Sequence, residues 1–174
     1  MATPTTQASA KSGATVSKGV IDAIELLTQD HKNVKELFEQ YEALSDRSLA
    51  SKRKVALKIC LELTKHATAE EEIFYTAVRA ASRDSADLLD EATVEHAAAK
   101  DLIAQIIEME PGEDLYDAKV KVLSEQIEHH VKEEEGEMFP KARKAKLDLL
   151  ALGAEIQARK DEIELPVAGK PAIN

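Results

Sequence analysis

Twice in this chain a glutamate follows a histidine by four residues, as His66-x-x-x-Glu70 and as His130-x-x-x-Glu134. On an α-helix such a pair shares a face, one turn apart and about 6 Å along the axis. Each pair sits within an apolar stripe. The first stripe is Ile59, Leu63, His66, Glu70, Ile73 and Ala77; the second is Leu123, Ile127, His130, Glu134 and Met138. Two more stripes carry one histidine each: Ile24, Leu27, His31, Val34, Phe38 and Tyr41, and Leu89, Ala92, His96, Ala99, Ile103 and Ile106. Spacings of three and four sustained over several turns are the mark of a helix with one buried face. Any fold of this chain must therefore bury imidazoles and carboxylates together with its apolar side chains.

The positions of the breaks decide how the helices meet. Asp46-Arg47-Ser48, Ser82-Arg83-Asp84 and Pro111-Gly112 interrupt the stripes, and either Asp46 or Ser48 could cap the second helix. In an up-and-down bundle, residues at one level lie equally far from the turn between their helices. The midpoint between His31 and the His66/Glu70 pair falls near Ser48, and the next near Ser82. The midpoint between His96 and the His130/Glu134 pair falls near Asp114. All three land on breaks, so an antiparallel four-helix bundle places His31, His66, Glu70, His96, His130 and Glu134 at one level.

Pro140 is expected to end the fourth helix, and Lys141 to Glu164 reads as one more helix. Leu147, Leu150, Ile156 and Ile163 would lie against the bundle, and Gly153 would weaken that helix. The expected fold is thus all-α: an antiparallel up-down four-helix bundle over 20–145, with an additional C-terminal helix and loose tail over 146–174. Residues 1–19 read as a flexible polar tail, without the apolar core of a secretory signal.

Composition narrows the partners. A net charge of −10 leaves no basic stripe for nucleic acid and disfavours an anionic membrane surface. No apolar run approaches the ~20 residues of a membrane span. Cys60 is the single cysteine, so no intrachain disulfide forms, which suits a reducing compartment. A cytoplasmic protein is expected, and nothing in the sequence names a protein partner.

Four imidazoles and two carboxylates suit a metal. Imidazole binds iron, zinc, copper and nickel, and carboxylates can bridge two ions and offset their charge. Taken singly, a His-x-x-x-Glu pair means little, and one core histidine is usually a hydrogen-bonded structural residue. Two buried glutamates are harder to explain, because an unpaired buried carboxylate costs several kcal/mol or more. Four histidines and two glutamates at one level need a common partner. They divide into two ions with two histidines each, leaving coordination positions open. On iron those positions suit dioxygen, peroxide or nitric oxide; on zinc they suit hydrolysis. His129 points about 100° away from His130 and is expected to be exposed, or to stand behind a ligand, and not to be a ligand itself. The neighbours of Glu70 and Glu134 in the Glu70-Glu71-Glu72 and Glu133-Glu134-Glu135 runs read as a solvated face. Tyr41 and Tyr116 lie too far from the level to be ligands, and Cys60 reads as a small buried residue.

Asp30-His31, His66-x-x-x-Glu70-Glu71, Glu95-His96 and His130-x-x-x-Glu134-Glu135, with Phe139-Pro140, together resemble the hemerythrin-like (HHE cation-binding) family over about residues 20–145. The resemblance implies a four-helix bundle holding two non-haem iron ions with an oxo or hydroxo bridge. It assigns His31 and His66 to one iron, His96 and His130 to the other, and Glu70 and Glu134 to both as bridges. Oxygen-carrying members have a second histidine one turn before the position of His96, where this chain has Ala92, and end in His-x-x-x-x-Asp. The difference implies one iron that is less firmly held and more open. The expected function is binding of, or reaction with, dioxygen, peroxide or nitric oxide, in oxidative or nitrosative stress or iron handling. If an enzyme, the chain would be a di-iron oxidoreductase. The alternatives are a metal- or oxygen-responsive sensor that acts through a partner surface, and a structural zinc bundle.

Overall fold

The computed structural model describes residues 21–165; the N-terminal stretch 1–19 and the tail 166–174 read above lie outside the described residues. Four helical rods form the bundle. The first is α1, Ala23–Glu42, whose amino end is capped by Asp22 Oδ1 accepting from the Glu25 amide at 2.9 Å. The second is α2, Leu49–Ala69, which runs through a π-helical turn at Glu70–Phe74 into α3, Tyr75–Ala81. A short turn at Arg83–Ser85 leads to α4, Ala86–Glu108. The fourth rod is α5, Tyr116–Glu133, a second π turn at Glu134–Met138, and α6, Phe139–Lys144. After a break at 145–148 comes α7, Leu149–Glu162. Successive rods pack side by side, α1 on α2, α2 on α4 and α4 on α5, and α5 closes the ring against α1. No strand occurs among the described residues, and none of their helices is long and apolar enough to cross a membrane.

The breaks predicted from the sequence are where the chain turns. Ser48 occupies the N-cap position of α2, Ser82 ends α3, and Asp114 lies in the connection between α4 and α5. Ser48 does not cap through its side chain; its hydroxyl pairs with that of Ser45 at 2.9 Å instead. All six residues of the α4 stripe and all six of the α1 stripe are buried.

The second stripe departs from expectation after Glu70. Phe74, Tyr75 and Val78 are buried, whereas Ile73 and Ala77 are only partly so. The π turn is the cause: it holds an extra residue per turn, so the inward face advances by one position. The second π turn has a parallel effect at Pro140. The Phe139 amide bonds the Glu134 carbonyl, five residues back, and the proline falls in the first turn of α6, where a missing amide is tolerated. The rod therefore continues past Pro140 to Lys144 rather than ending there.

Two apolar clusters fill the bundle on either side of the histidine level. One contains Leu27, Phe74, Val78, Leu89, Phe139 and Ile156, and the other contains Phe38, Ile59, Leu63, Ile103, Tyr116 and Leu123. The helix α7 lies against α1 and α2, with Ile156 fully buried but Leu150 55% exposed. Gly153, expected to weaken this helix, also has a packing role. A Cβ there would stand 2.3 Å from the Ile21 carbonyl oxygen, so the close approach of α7 to the start of α1 requires a glycine. Because the obstacle is backbone, Gly153→Ala is expected to cost about 1–3 kcal/mol, read as a lower midpoint in urea unfolding. A midpoint equal to wild type would show that the contact is loose.

Candidate metal centre

Each rod delivers one imidazole to the same level. His31 comes from α1, His66 from α2, His96 from α4 and His130 from α5, and all four are buried. Their Nε2 atoms face inward in two pairs, His31 to His66 at 3.2 Å and His96 to His130 at 3.0 Å. Glu70 and Glu134, both at most 1% exposed, lie between the pairs. Glu70 Oε2 stands 3.0 Å from His66 Nε2 and 3.5 Å from His96 Nε2. Glu134 Oε2 stands 3.3 Å from His31 Nε2 and 3.4 Å from His130 Nε2. Each carboxylate thus touches one histidine of each pair. All six residues singled out in the sequence are brought together.

The outward ring nitrogens explain why the inward ones are available. His31 Nδ1 meets Glu135 at 2.8 Å, His66 Nδ1 meets Asp30 at 3.3 Å, His96 Nδ1 meets Glu71 at 3.0 Å, and His130 Nδ1 meets Glu95 at 2.7 Å. A carboxylate accepts and does not donate, so each Nδ1 carries a hydrogen, and a ring in its neutral form offers its lone pair from Nε2. The pairing runs in a ring. The acid on α1 serves the histidine on α2, and the acid beside Glu70 serves the histidine on α4. The acid on α4 serves the histidine on α5, and the acid beside Glu134 serves the histidine on α1. Glu71 and Glu135 are therefore not mere parts of a solvated face. The sequence signal was present: each of these acids adjoins a ligand-type residue, in Asp30-His31, Glu70-Glu71, Glu95-His96 and Glu134-Glu135.

Tyr75 is the residue that sequence periodicity missed. The π turn brings its hydroxyl above Glu70, five residues back, at 3.4 Å from Oε2. The same hydroxyl donates to Glu134 Oε1 at 2.6 Å and lies 3.5 Å from His96 Nε2. Burial first, then the charges of Glu70 and Glu134, push its pKa far up, so the phenol keeps its proton. Tyr41 and Tyr116 are away from the centre: Tyr41 donates to Asp117, and Tyr116 is buried in the apolar cluster. Cys60 is buried, and burial raises its thiol to about 12, which makes it inert packing. His129 is exposed, as expected.

The donor set fits metal ions on three grounds. Two donors about 2.1 Å from one ion and at right angles lie about 3.0 Å apart, which matches the inward separations of 3.0–3.5 Å. Glu70 Oε1 is buried without any hydrogen-bond donor, and Glu134 Oε2 faces only the Nε2 atoms of His31 and His130, so both oxygens are open to another partner. Finally, Glu70, Glu134 and the four acids on the Nδ1 atoms carry six negative charges, against two ammonium groups, Lys100 on Glu71 and Lys160 on Asp30. The four charges left over match two divalent cations.

In the metal-free protein, protons balance part of this charge. Burial works against an imidazolium at His66, but Glu70 and Asp30 outweigh it and hold the ring's pKa at about 10. Burial likewise opposes charge on His130, and Glu134, Glu70 and Glu95 raise it to about 9. Burial opposes ionisation of Glu134, yet His130 and His31 hold it well below the usual carboxylate range. Metal uptake at pH 7 should therefore expel about two protons per chain. Calorimetric titration with Zn²⁺ in two buffers of different ionisation enthalpy counts them, and a count of zero would contradict the arrangement.

The chain resembles known proteins in sequence and in fold. The sequence model of the hemerythrin HHE cation binding domain matches residues 22–142. A protein of Nostoc sp. described as a DNA nickase is 29% identical over 121 residues, 68% of this chain and 33% of that protein. The chain thus spans about a third of the length of that relative. The crystal structure of a hemerythrin HHE cation binding domain-containing protein from Mycobacterium kansasii shares the fold, with a TM-score of 0.69 at 24% identity. That match covers 82% of this chain and 86% of the other.

Proposed function

The chain belongs to the hemerythrin HHE cation-binding domain family, and on that premise we propose that it is a cytoplasmic, non-haem di-iron protein that binds or reacts with dioxygen, peroxide or nitric oxide. The observation that carries the reading is the pair of buried carboxylates, Glu70 and Glu134, each shared between the two imidazole pairs. His31 and His66 would hold one ion and His96 and His130 the other, with the protonated Tyr75 hydroxyl beside His96. Bound iron would supply the electrons that such ligands accept or share.

The chain's own residues do the rest. The four Nδ1 carboxylates fix the rings with Nε2 inward, and the apolar clusters above and below keep water out. Tyr75 holds a proton 2.6 Å from Glu134 Oε1, where it fixes the orientation of that carboxylate. An open cavity of about 560 Å³ between α1 and α5, lined in part by His31, Phe38, Ile127 and Val131, would bring a small ligand to the edge of the site. Nucleic acid is not part of this reading, because a net charge of −10 opposes contact with phosphates.

Elemental analysis of aerobically purified protein, with an absorption spectrum of the same sample, is the test. About two irons per chain with near-ultraviolet charge-transfer absorption is the expected result. The spectrum should respond to peroxide, oxygen or nitric oxide, and His96→Ala should remove that response. Zinc in place of iron, or an iron spectrum indifferent to all three ligands, would overturn the redox function.

A further inference from the structure

The helix α7 lies beyond the residues matched by the family model, yet it carries a charge into the centre. Lys160 is buried, at 7% exposure, and its Nζ stands 2.5 Å from both oxygens of Asp30. Asp30 is itself buried and meets His66 Nδ1. Three side chains from three helices thus form one line: ammonium, carboxylate, imidazole. Asp30 is alone among the four outer acids in having a buried ammonium behind it. The lysine on Glu71, Lys100, has a 43% exposed side chain.

We propose that Lys160 is a positioning residue of the metal centre, acting through Asp30 to hold His66 with its Nδ1 hydrogen outward and its Nε2 lone pair toward the ion. The proposal rests on the metal-binding reading above. An ammonium has three donors and no acceptor, so it can grip both carboxylate oxygens at once. That grip fixes the plane of the Asp30 carboxylate and leaves Oδ2 directed at His66. It also supplies the counter-charge that a buried carboxylate needs. Without it, Asp30 has no reason to stay inside the bundle, and His66 loses the acceptor that sets its tautomer. Lys160 is not what docks α7. Ile156 is fully buried, Gly153 fits against the start of α1, and Arg159 grips Glu72 at 2.6 and 3.1 Å. The charge can therefore be removed while the helix stays in place.

The test uses the full chain loaded with Co²⁺, whose visible bands report the ligands around each ion. Lys160→Met is expected to weaken one of the two cobalt sites by about 10-fold or more and to change its bands. Lys160→Arg, which keeps charge and donors, should retain both sites. The double variant Asp30→Asn/Lys160→Met should bind cobalt within about threefold of Asp30→Asn alone, because a lysine that acts through Asp30 has no further effect once that carboxylate is gone. Ile156→Ala, which loosens α7 with Lys160 present, should lower the melting temperature and leave the cobalt bands unchanged. Wild-type affinity and bands in Lys160→Met would overturn the proposal, whatever its melting temperature. Where Lys160→Met does not fold, a double variant that binds cobalt more than about tenfold weaker than Asp30→Asn alone would overturn it equally. A wild-type chain that takes up no Co²⁺ would overturn the metal reading and this proposal with it.

Discussion

Glu134→Ala will empty the centre while leaving the bundle folded. Glu134 reaches His31, His130 and Tyr75, so its loss touches both imidazole pairs at once. A weaker partner on the outer edge of a metal site is worth about 10- to 100-fold in affinity, and a shared inner carboxylate should be worth at least the upper figure. After exchange against a chelator, the variant is expected to hold less than one ion per chain. Its helical circular dichroism should match wild type, because the two apolar clusters lie clear of Glu134 along the rods. Glu137→Ala, an exposed change on the same turn, serves as the control and should alter nothing. A Glu134→Ala protein with full metal content would remove this residue from the ligand set.

Removing the metal should have the second large effect, on stability. Ligand present at about 1,000 times its dissociation constant adds about 4 kcal/mol to the folded state. For a chain of this size that is about 8–16 °C in melting temperature. The difference between loaded and stripped protein should also depend on pH. In the stripped protein His66 and His130 have folded pKa values of about 10 and 9, above the ~6.5 of an unfolded histidine. Their stabilising contribution is therefore complete below pH ~6.5 and disappears as pH rises through 9 and 10. Stripped protein loses stability over that window, whereas in loaded protein the rings are already neutral, with metal in place of the Nε2 proton. Melting curves at pH 6.5 and 9.5, with and without metal, should show a gap that widens with pH. A constant gap would mean that protons do not stand in for the metal.

Much of this was legible in the sequence, because the helices of the bundle are regular where they pack. The α1 and α4 stripes read correctly at every position, and the connections fell at the midpoints between histidines. Regularity failed at the two π turns, which no period of 3.6 contains. They hid Tyr75, displaced the inward face from Ile73 to Phe74, and carried the last rod past Pro140. The outer acids were visible as neighbours of the ligand-type residues, but their partners lie on other helices, and no one-dimensional pattern states that. Lys160 was illegible for the same reason. A lysine near the end of an exposed-looking helix gives no sign that a carboxylate of α1 waits for it.

The ring of acids and histidines has a consequence for how the fold keeps its alignment. Each helix both gives a carboxylate to the next and takes one from the previous, so the centre has a sense of rotation about the bundle axis. Sliding any one helix by a turn, about 5.4 Å, breaks two of these pairings and not one. A helix exchanged from another protein would have to match the neighbour on either side. The smallest piece of this protein that could be moved into a new scaffold with its chemistry intact is therefore the full circle of four helices, with α7 to bring Lys160 to Asp30.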